Sequence, residues 1–296
     1  MSGPAGSDRA NPWLTRRVLA YAHQGGAWEA PSSTLFAIRR ALELGCSGIE
    51  LDVHATADRH LVVCHDTTVD RTTDGHGAIA SMTLAEVRAL DNAYWFVPGA
   101  DVTPGLPDGD YPFRGRGPED GDFAVATLAE VLDLLEAHPG VALNLDIKQT
   151  APAVQPYEEL LADQLHGRGP ELCRRTIVAS FLDAATQAFA GHAPDIATSA
   201  GTVDVALFVR AVRQGAEPPP LRHVALQVPA VRHGVVVVDP AVVEAAHAAG
   251  LAVHVWTIND EVTMADLLDM GVDGIITDLP GTLLPLLERR GLATAP

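Results

Sequence analysis

The sequence is organised by an alternation of short apolar runs and longer helical patterns that begins at Val18. Repeated βα units of this kind are typical of a parallel sheet. Eight runs are predicted to be strands, at residues 19–23, 49–53, 141–148, 176–181, 196–200, 224–228, 252–258 and 274–277. Eight parallel strands with helices between them indicate an α/β fold of the (β/α)8 TIM barrel class.

Apolar residues at helical spacing predict the connecting helices. These cover residues 33–44, 128–137, 157–166, 183–190, 203–214, 240–249 and 261–270. Residues 1–17 carry charge and proline but no apolar core of signal-peptide length, so we expect a flexible lead-in to a barrel over residues 18–296.

Residues 67–126 form a segment too long for an ordinary βα loop. It contains a short helical pattern at 84–90 and then a tract rich in proline, glycine and aromatic residues. Disordered linkers are poor in aromatic residues. We therefore expect an inserted subdomain that caps the mouth of the barrel.

The stretch 49–66, IELDVHATADRHLVVCHD, brings several reactive side chains together. Glu50 and Asp52 are two residues apart in a predicted strand, so their side chains point to the same face. The loop that follows is too short for the crossover that a parallel neighbour needs, so the next apolar run must return as a hairpin arm. We expect that arm to bring His65 back to the level of Asp52.

Composition excludes several classes of protein. The formal net charge of −18 argues against a nucleic-acid-binding surface and against attraction to anionic lipid. The three cysteines are too few and too scattered for a disulfide framework or a zinc site. We find no apolar run of about eighteen residues, so we expect no stable membrane insertion and a cytoplasmic location.

Polar side chains lie at several predicted strand ends, where barrels of this class carry their catalytic groups. His23 ends the first strand, Glu50 and Asp52 lie in the second, and Asp146 and Lys148 share one face of the third. This placement predicts an active site at the carboxyl ends of the strands.

Three carboxylates converging from two strands would be costly to bury without a cation. Oxygen ligands with room for water and a substrate oxygen suit Mg²⁺ or Ca²⁺ better than zinc. We therefore predict that Glu50, Asp52 and Asp146 bind a divalent cation. His23 and His65, on either side of a phosphate held by the metal, could serve as acid and base.

Lys148 is the only lysine in the chain. It could be a point charge for a phosphate group, which the neighbouring acids favour, or it could form a structural ion pair with Asp146. His254 is left open as a further candidate. The sequence has no Walker-type loop and no Gly-x-Ser-x-Gly elbow, which argues against a P-loop protein and a serine hydrolase.

Five motifs together resemble a known family. In chain order they are AHQGGAWEAPSSTLFAI, IELDVHATADRHLVVCHDTTVDRTTDGHG, LNLDIK, HVWTIND and GVDGIITDLP. This series resembles the glycerophosphodiester phosphodiesterase family. The resemblance implies a (β/α)8 barrel with an insertion, which hydrolyses a small-molecule glycerophosphodiester to glycerol 3-phosphate and an alcohol.

By position, the resemblance makes His23 and His65 the acid and base pair. It makes Glu50, Asp52 and Asp146 the metal ligands, Lys148 a phosphate contact, and Trp256 an aromatic wall of the substrate pocket. Gln24 stands where the family usually has an arginine that contacts phosphate, so we expect a substrate contact there without a charge. Ser32 stands where a glutamate is usual, and Asp146 where glutamate is more common.

Two alternatives stay open. Gly25, Gly26 and Glu29, together with Asp-Ile-Lys at the third strand, are similar to a branch of the family that acts as a lysophospholipase D, whose products are a lysophosphatidic acid and a headgroup alcohol. Because the usual arginine and glutamate are replaced, the barrel could also bind a phosphodiester without turning it over. The sequence leaves the headgroup, the metal, the oligomeric state and a cyclic phosphate intermediate undecided.

Overall fold

The computed structural model describes residues 11–15, 18–148 and 157–292. Its strands, in chain order, are Leu19–His23 (β1), Gly48–Ala55 (β2), Leu61–Val63 (β3), Phe96–Val97 (β4), Asp101–Val102 (β5), Ala142–Ile147 (β6), Thr176–Ala179 (β7), Ala197–Thr198 (β8), Ala225–Pro229 (β9), Val231–Arg232 (β10), Val235–Val236 (β11), Ala252–Trp256 (β12) and Gly274–Thr277 (β13). All eight predicted strands are present, and the run after the loop of the second strand is the short strand β3.

Eight of these strands form a parallel barrel in the order β8, β7, β6, β2, β1, β13, β12, β9. The two ends of this order meet through backbone hydrogen bonds, from Ala200 N to the carbonyl of Ala225 and from Val224 N to the carbonyl of Thr198, both 3.0 Å. The predicted (β/α)8 TIM barrel is therefore confirmed.

The α-helices are Pro12–Thr15 (α1), Leu35–Leu44 (α2), Leu84–Arg88 (α3), Leu128–Glu136 (α4), Glu158–His166 (α5), Pro170–Arg174 (α6), Asp183–His192 (α7), Thr202–Arg213 (α8), Pro240–Ala248 (α9), Glu261–Met270 (α10) and Pro280–Arg289 (α11). Every predicted helix is present. The sequence did not predict α1, α6 or α11, because two of these are short and the last contains Pro285. Within the described ranges, no helix is long and apolar enough to cross a membrane.

The start of the chain differs from the expected flexible lead-in at residues 11–15. The Asn11 side chain donates hydrogen bonds to the carbonyls of Val224 (2.7 Å) and Gly250 (2.9 Å), next to the amino ends of β9 and β12. Trp13 is 1% exposed and packs with Leu19 and Tyr21 of the barrel interior. The gain from burying an indole explains why this short segment is ordered. Residues 1–10, 16 and 17 lie outside the described part.

The expected hairpin arm is present. β3 pairs antiparallel with β2, with Val53 opposite Val63. Cys64 N donates to the carbonyl of Asp52 at 3.1 Å, which brings the following residue, His65, back beside the acids of β2.

Residues 67–126 support this arm from outside the barrel. Val69, Ile79, Val87 and Val125 form one buried cluster with Val62 and Cys64. Phe113 and Phe123 stack against Phe36 of α2. No described residue of this segment lines the cavity at the carboxyl ends of the strands. The segment therefore packs beside the cavity opening, against the hairpin arm and α2, whereas the sequence predicted a cap over that opening.

Candidate active site

A cavity of about 1070 Å³ opens at the carboxyl ends of the barrel strands. The sequence-predicted residues that line it are His23, Glu50, His65, Asp146, Lys148 and Trp256. Asp52 lies directly behind them, fully buried. The structure thus brings seven of the eight predicted site residues to one place, although they come from distant parts of the chain.

The register of two neighbouring strands aligns the acids. In the parallel pair formed by β2 and β6, Glu50 lies opposite Asn144 and Asp52 opposite Asp146. Lys148 Nζ is 2.9 Å from Asp52 Oδ1 and 3.0 Å from Asp146 Oδ2. The ion pair considered from the sequence is therefore present, and it joins the lysine to two acids instead of one.

The acids carry more negative charge than this lysine can balance. Burial, reinforced by the charge of Asp52, raises the pKa of Glu50 to about 8. Burial also raises the pKa of Asp146, although Lys148 opposes this shift. For Lys148, the acids outweigh burial and raise its pKa above the ordinary value. Such opposed shifts are the expected electrostatics of a crowded acidic site.

The free oxygens of this cluster have the chemistry of divalent-cation ligands, but Glu50, Asp52 and Asp146 do not bring ligand atoms within 4.8 Å of one another. Glu50 Oε2, Asp52 Oδ2 and Asp146 Oδ1 are buried without a hydrogen-bond partner among the described residues. Buried oxygens are normally satisfied, and carboxylate oxygens are the ligands that Mg²⁺ and Ca²⁺ prefer. Lys148 stands between two of the acids, so a cation held by all three requires their side chains to draw together.

Asp278 holds the first histidine. His23 Nδ1 is 2.5 Å from Asp278 Oδ1, and Asn259 Nδ2 donates to Asp278 Oδ2 at 2.7 Å. Burial lowers the pKa of His23, but Asp278 and Glu50 outweigh it and raise the value to about 9. The sequence reasoning missed Asp278 and Asn259. The signal was available, because the last strand of a closed barrel lies beside the first, and Ala22 pairs with Thr277.

His65 is held in a parallel way on the hairpin arm. Its Nδ1 is 2.6 Å from Asp66 Oδ1, and Arg71 Nε donates to Asp66 Oδ2 at 2.6 Å. These bonds overcome partial burial and lower the pKa of Asp66 to about 2. Each of the two histidines therefore has an acid on Nδ1, which fixes the ring and leaves Nε2 for chemistry.

The model of the glycerophosphoryl diester phosphodiesterase family matches residues 23–282. This chain belongs to that family. A glycerophosphodiester phosphodiesterase from Caldanaerobacter subterraneus is 32% identical over 277 residues, which cover 93% of this chain and all of the relative. The family is one of enzymes, and this member is a phosphoric diester hydrolase.

Solved structures agree on the fold. The glycerophosphoryl diester phosphodiesterase domain of a Mycobacterium tuberculosis protein aligns with a TM-score of 0.74 at 20% identity, covering 92% of this chain and 99% of that one. A phosphodiesterase from Oleispira antarctica, solved in complex with the product sn-glycerol-3-phosphate, aligns with a TM-score of 0.68 at 24% identity, covering 92% and 97%. At these identities the likeness supports the barrel alone.

Gln24 departs from the family pattern in its contacts as well as its type. It is buried and does not line the cavity. Its Nε2 lies 3.1 Å from His23 Nε2, near enough to donate to that nitrogen when it carries no proton. The turn that places it needs Gly25, which has φ of +85° and whose added Cβ would lie 2.8 Å from the Cβ of Ala37.

A second wall of the cavity combines aromatic and aliphatic side chains with arginines, and the sequence reasoning identified only Trp256 of it. Trp256 meets Phe181 edge to face at 5.4 Å between ring centroids. The lining continues along one face of α8, where the spacing of three and four residues is that of a single helix face: Thr202, Val205, Ala206, Val209, Arg210 and Arg213. This face and the cavity-lining residues Arg232, His233 and Val237, which follow β9, form a channel that we call the α8 groove.

Proposed function

We propose that this enzyme hydrolyses glycerophosphodiesters to glycerol 3-phosphate and an alcohol, with a divalent cation, Mg²⁺ or Ca²⁺, held by Glu50, Asp52 and Asp146. His23 and His65 act as the acid and base pair. The observation that carries this proposal is that both histidines line one cavity beside carboxylates that keep buried oxygens without a hydrogen-bond partner among the described residues, and that each histidine has its own acid on Nδ1. The name of the Caldanaerobacter relative and the product in the Oleispira structure support the same reaction.

When bound, the cation would neutralise the acids and draw electron density from the phosphate. One histidine takes a proton from the attacking water as the water oxygen bonds to phosphorus. The bond from phosphorus to the alcohol oxygen breaks, and the other histidine protonates that oxygen. Lys148 contributes a fixed positive charge for the phosphate oxygens, and its cavity-lining position supports this role.

The test is an assay of glycerophosphocholine and glycerophosphoethanolamine with added Mg²⁺ or Ca²⁺, with and without a chelator. We expect alcohol release that the chelator abolishes. His23→Ala should lower kcat by about 10²–10⁴, whereas His192→Ala, a surface change on α7, should leave it unchanged. Absence of turnover with both cations would overturn the proposal. A barrel that only binds the diester would keep its affinity in His23→Ala.

The α8 groove favours a second candidate, lysophospholipase D activity on an acylated substrate. From Thr202 to Arg213 the helix rises about 16 Å, and the lining residues Val205, Ala206 and Val209 present apolar side chains over about 6 Å in the middle of that length. Such a channel suits an acyl chain better than a small headgroup. Higher kcat/KM for lysophosphatidylcholine than for glycerophosphocholine is the expected result, and equal or lower kcat/KM for the acylated compound would reject this candidate.

A further inference from the structure

A short hairpin beside the cavity exposes apolar side chains that the fold does not use. β10 and β11 pair through Val231 and Val236, and residues 231–236 are all exposed. Val231 is 55% exposed, Val235 51% and Val236 49%. Isolated exposed valines are ordinary, but three on one hairpin next to a binding cavity mark an interaction surface.

The apolar surface continues across the mouth of the cavity. Phe181, at the end of β7, is 42% exposed, and its neighbour Leu182 is 41% exposed. The guanidinium of Arg232, on the hairpin, lies 6.0 Å from the Phe181 ring centroid. The hairpin and the aromatic pair of Phe181 and Trp256 therefore flank the same opening.

Positive charge accompanies this surface. Arg210, Arg213 and Arg232 are exposed and line the cavity. Within the described ranges, none of the three has a carboxylate at ion-pair distance, and Arg213 Nη2 donates instead to the carbonyl of Val236. Two acids at the start of α8 have other partners: Asp183 accepts hydrogen bonds from the N–H groups that begin the helix, and Asp204 pairs with His223 at 3.3 Å.

We propose that the β10–β11 hairpin and these three arginines dock on an anionic lipid surface, from which an acylated substrate enters the α8 groove. This proposal rests on the second candidate function. Arginines pair with lipid phosphates, and the exposed valines of the two hairpin strands bury in the interface. The net charge of −18 opposes approach to such a surface, but charges more than about 8 Å away are largely screened at physiological salt. The hairpin and its three arginines therefore determine whether the protein binds to the lipid surface.

Docking of this kind orients the cavity. With the hairpin on the lipid, the groove opens towards the layer that holds the substrate. The acyl chain then passes from lipid to the apolar face of α8 without crossing water, which removes the cost of exposing it.

The test is sedimentation of the full chain with large vesicles of phosphatidylglycerol and phosphatidylcholine, and with vesicles of phosphatidylcholine alone. We expect binding to the anionic vesicles that weakens as salt is raised, and at least tenfold weaker binding to the neutral ones. Replacing Val235→Asp and Val236→Asp together should lower binding to anionic vesicles at least tenfold. Neither valine lines the cavity, so turnover of soluble glycerophosphocholine should be unchanged.

Leu44→Asp is the matched control. Leu44 is 40% exposed at the end of α2, near the amino end of β2 and so at the opposite end of the barrel. The Leu44→Asp variant should bind anionic vesicles as strongly as the parent chain does.

Equal binding of the hairpin variant and the parent chain would overturn the proposal. So would a dimer that the hairpin variant loses while vesicles bind neither protein, which would make the hairpin a contact between two copies. Vesicle binding without hydrolysis of any diester would leave docking intact and reject the proposed function, so the two failures are distinguishable.

Discussion

The two walls of the cavity are built on different principles. On one wall, His23, Asp52, Asp146 and Lys148 stand at the ends of barrel strands, each with a charged partner at 2.5–3.0 Å. On the other, apolar side chains of α8 and the residues after β9 line the space. Strand register fixes the first wall, whereas a helix and a loop hairpin form the second. Chemistry common to all substrates should therefore depend on the first wall, and choice among substrates on the second.

Among the variants that compare the two walls, Lys148→Met should have the largest effect, because it removes the one lysine of the chain from the charged wall. Loss of a fixed charge aimed at the reacting phosphate should lower kcat/KM by about 10²–10³. The loss should be equal for glycerophosphocholine and lysophosphatidylcholine, because both carry the same phosphodiester. Steady-state kinetics with the two substrates measure it. A loss of kcat/KM for only one of the two substrates would show that the charged wall also selects between substrates, which would contradict separate roles for the two walls.

Asp278→Asn should have the next largest effect, through His23. Removing a partner that orients a reacting ring should lower kcat/KM by about 10–100-fold. Because Asp278 helps to raise the pKa of His23, the variant should move the ionisation assigned to His23 to lower pH. The measurement is the pH profile of kcat/KM for glycerophosphocholine. An unshifted profile would mean that Asp278 supports the barrel without tuning the histidine.

A smaller and selective effect is expected on the apolar wall. Val205→Asp places a charge in the α8 groove and should lower kcat/KM for lysophosphatidylcholine by about tenfold, with glycerophosphocholine unaffected. Val203→Asp is the matched control, since Val203 is 59% exposed on the same helix and does not line the cavity. If both substrates lose equally, the groove does not select the acyl chain.

The floor of the barrel should matter least for turnover and most for acid stability. His254 is fully buried, and burial lowers its pKa to about 3. Between that value and the ordinary 6.5 the unfolded chain binds the proton more readily, so the stability contribution is complete above pH 6.5 and is lost as the pH falls. The free energy of unfolding should drop by up to about 1.4 kcal/mol per pH unit.

Urea unfolding from pH 7 to pH 4 measures this slope. His254→Gln, which cannot take up the proton, should flatten it. An unchanged slope in the variant would assign the acid sensitivity to other groups.

Much of the charged wall was predictable from the sequence, because short-range rules decide it. The period of two in a strand puts Glu50 and Asp52 on one face, and the length of one loop forces β3 to return with His65 beside them. Asp278 was harder to find, because its contact with His23 depends on closure of the barrel over 255 positions.

The apolar wall was not predictable for a different reason. The spacing of Val205 and Val209 in α8 is that of a helix packed on a barrel, and only the three-dimensional arrangement shows that these two side chains also line the cavity. The hairpin over residues 231–236 has no periodic pattern long enough to identify. The aromatic residues of the segment 67–126 do not indicate where it packs, because its contacts with the hairpin arm and with α2 depend on the assembled fold.

The most direct test of the division between the walls is a double-mutant cycle with Lys148→Met and Val205→Asp, measured as kcat/KM for lysophosphatidylcholine. Among the described residues, the two side chains share no hydrogen-bond or ion-pair partner, and in this account they act on different parts of the substrate. We expect the double variant to show the product of the two single losses, within about twofold. A departure of about tenfold or more, in either direction, would mean that the two walls act as one unit and would contradict the account.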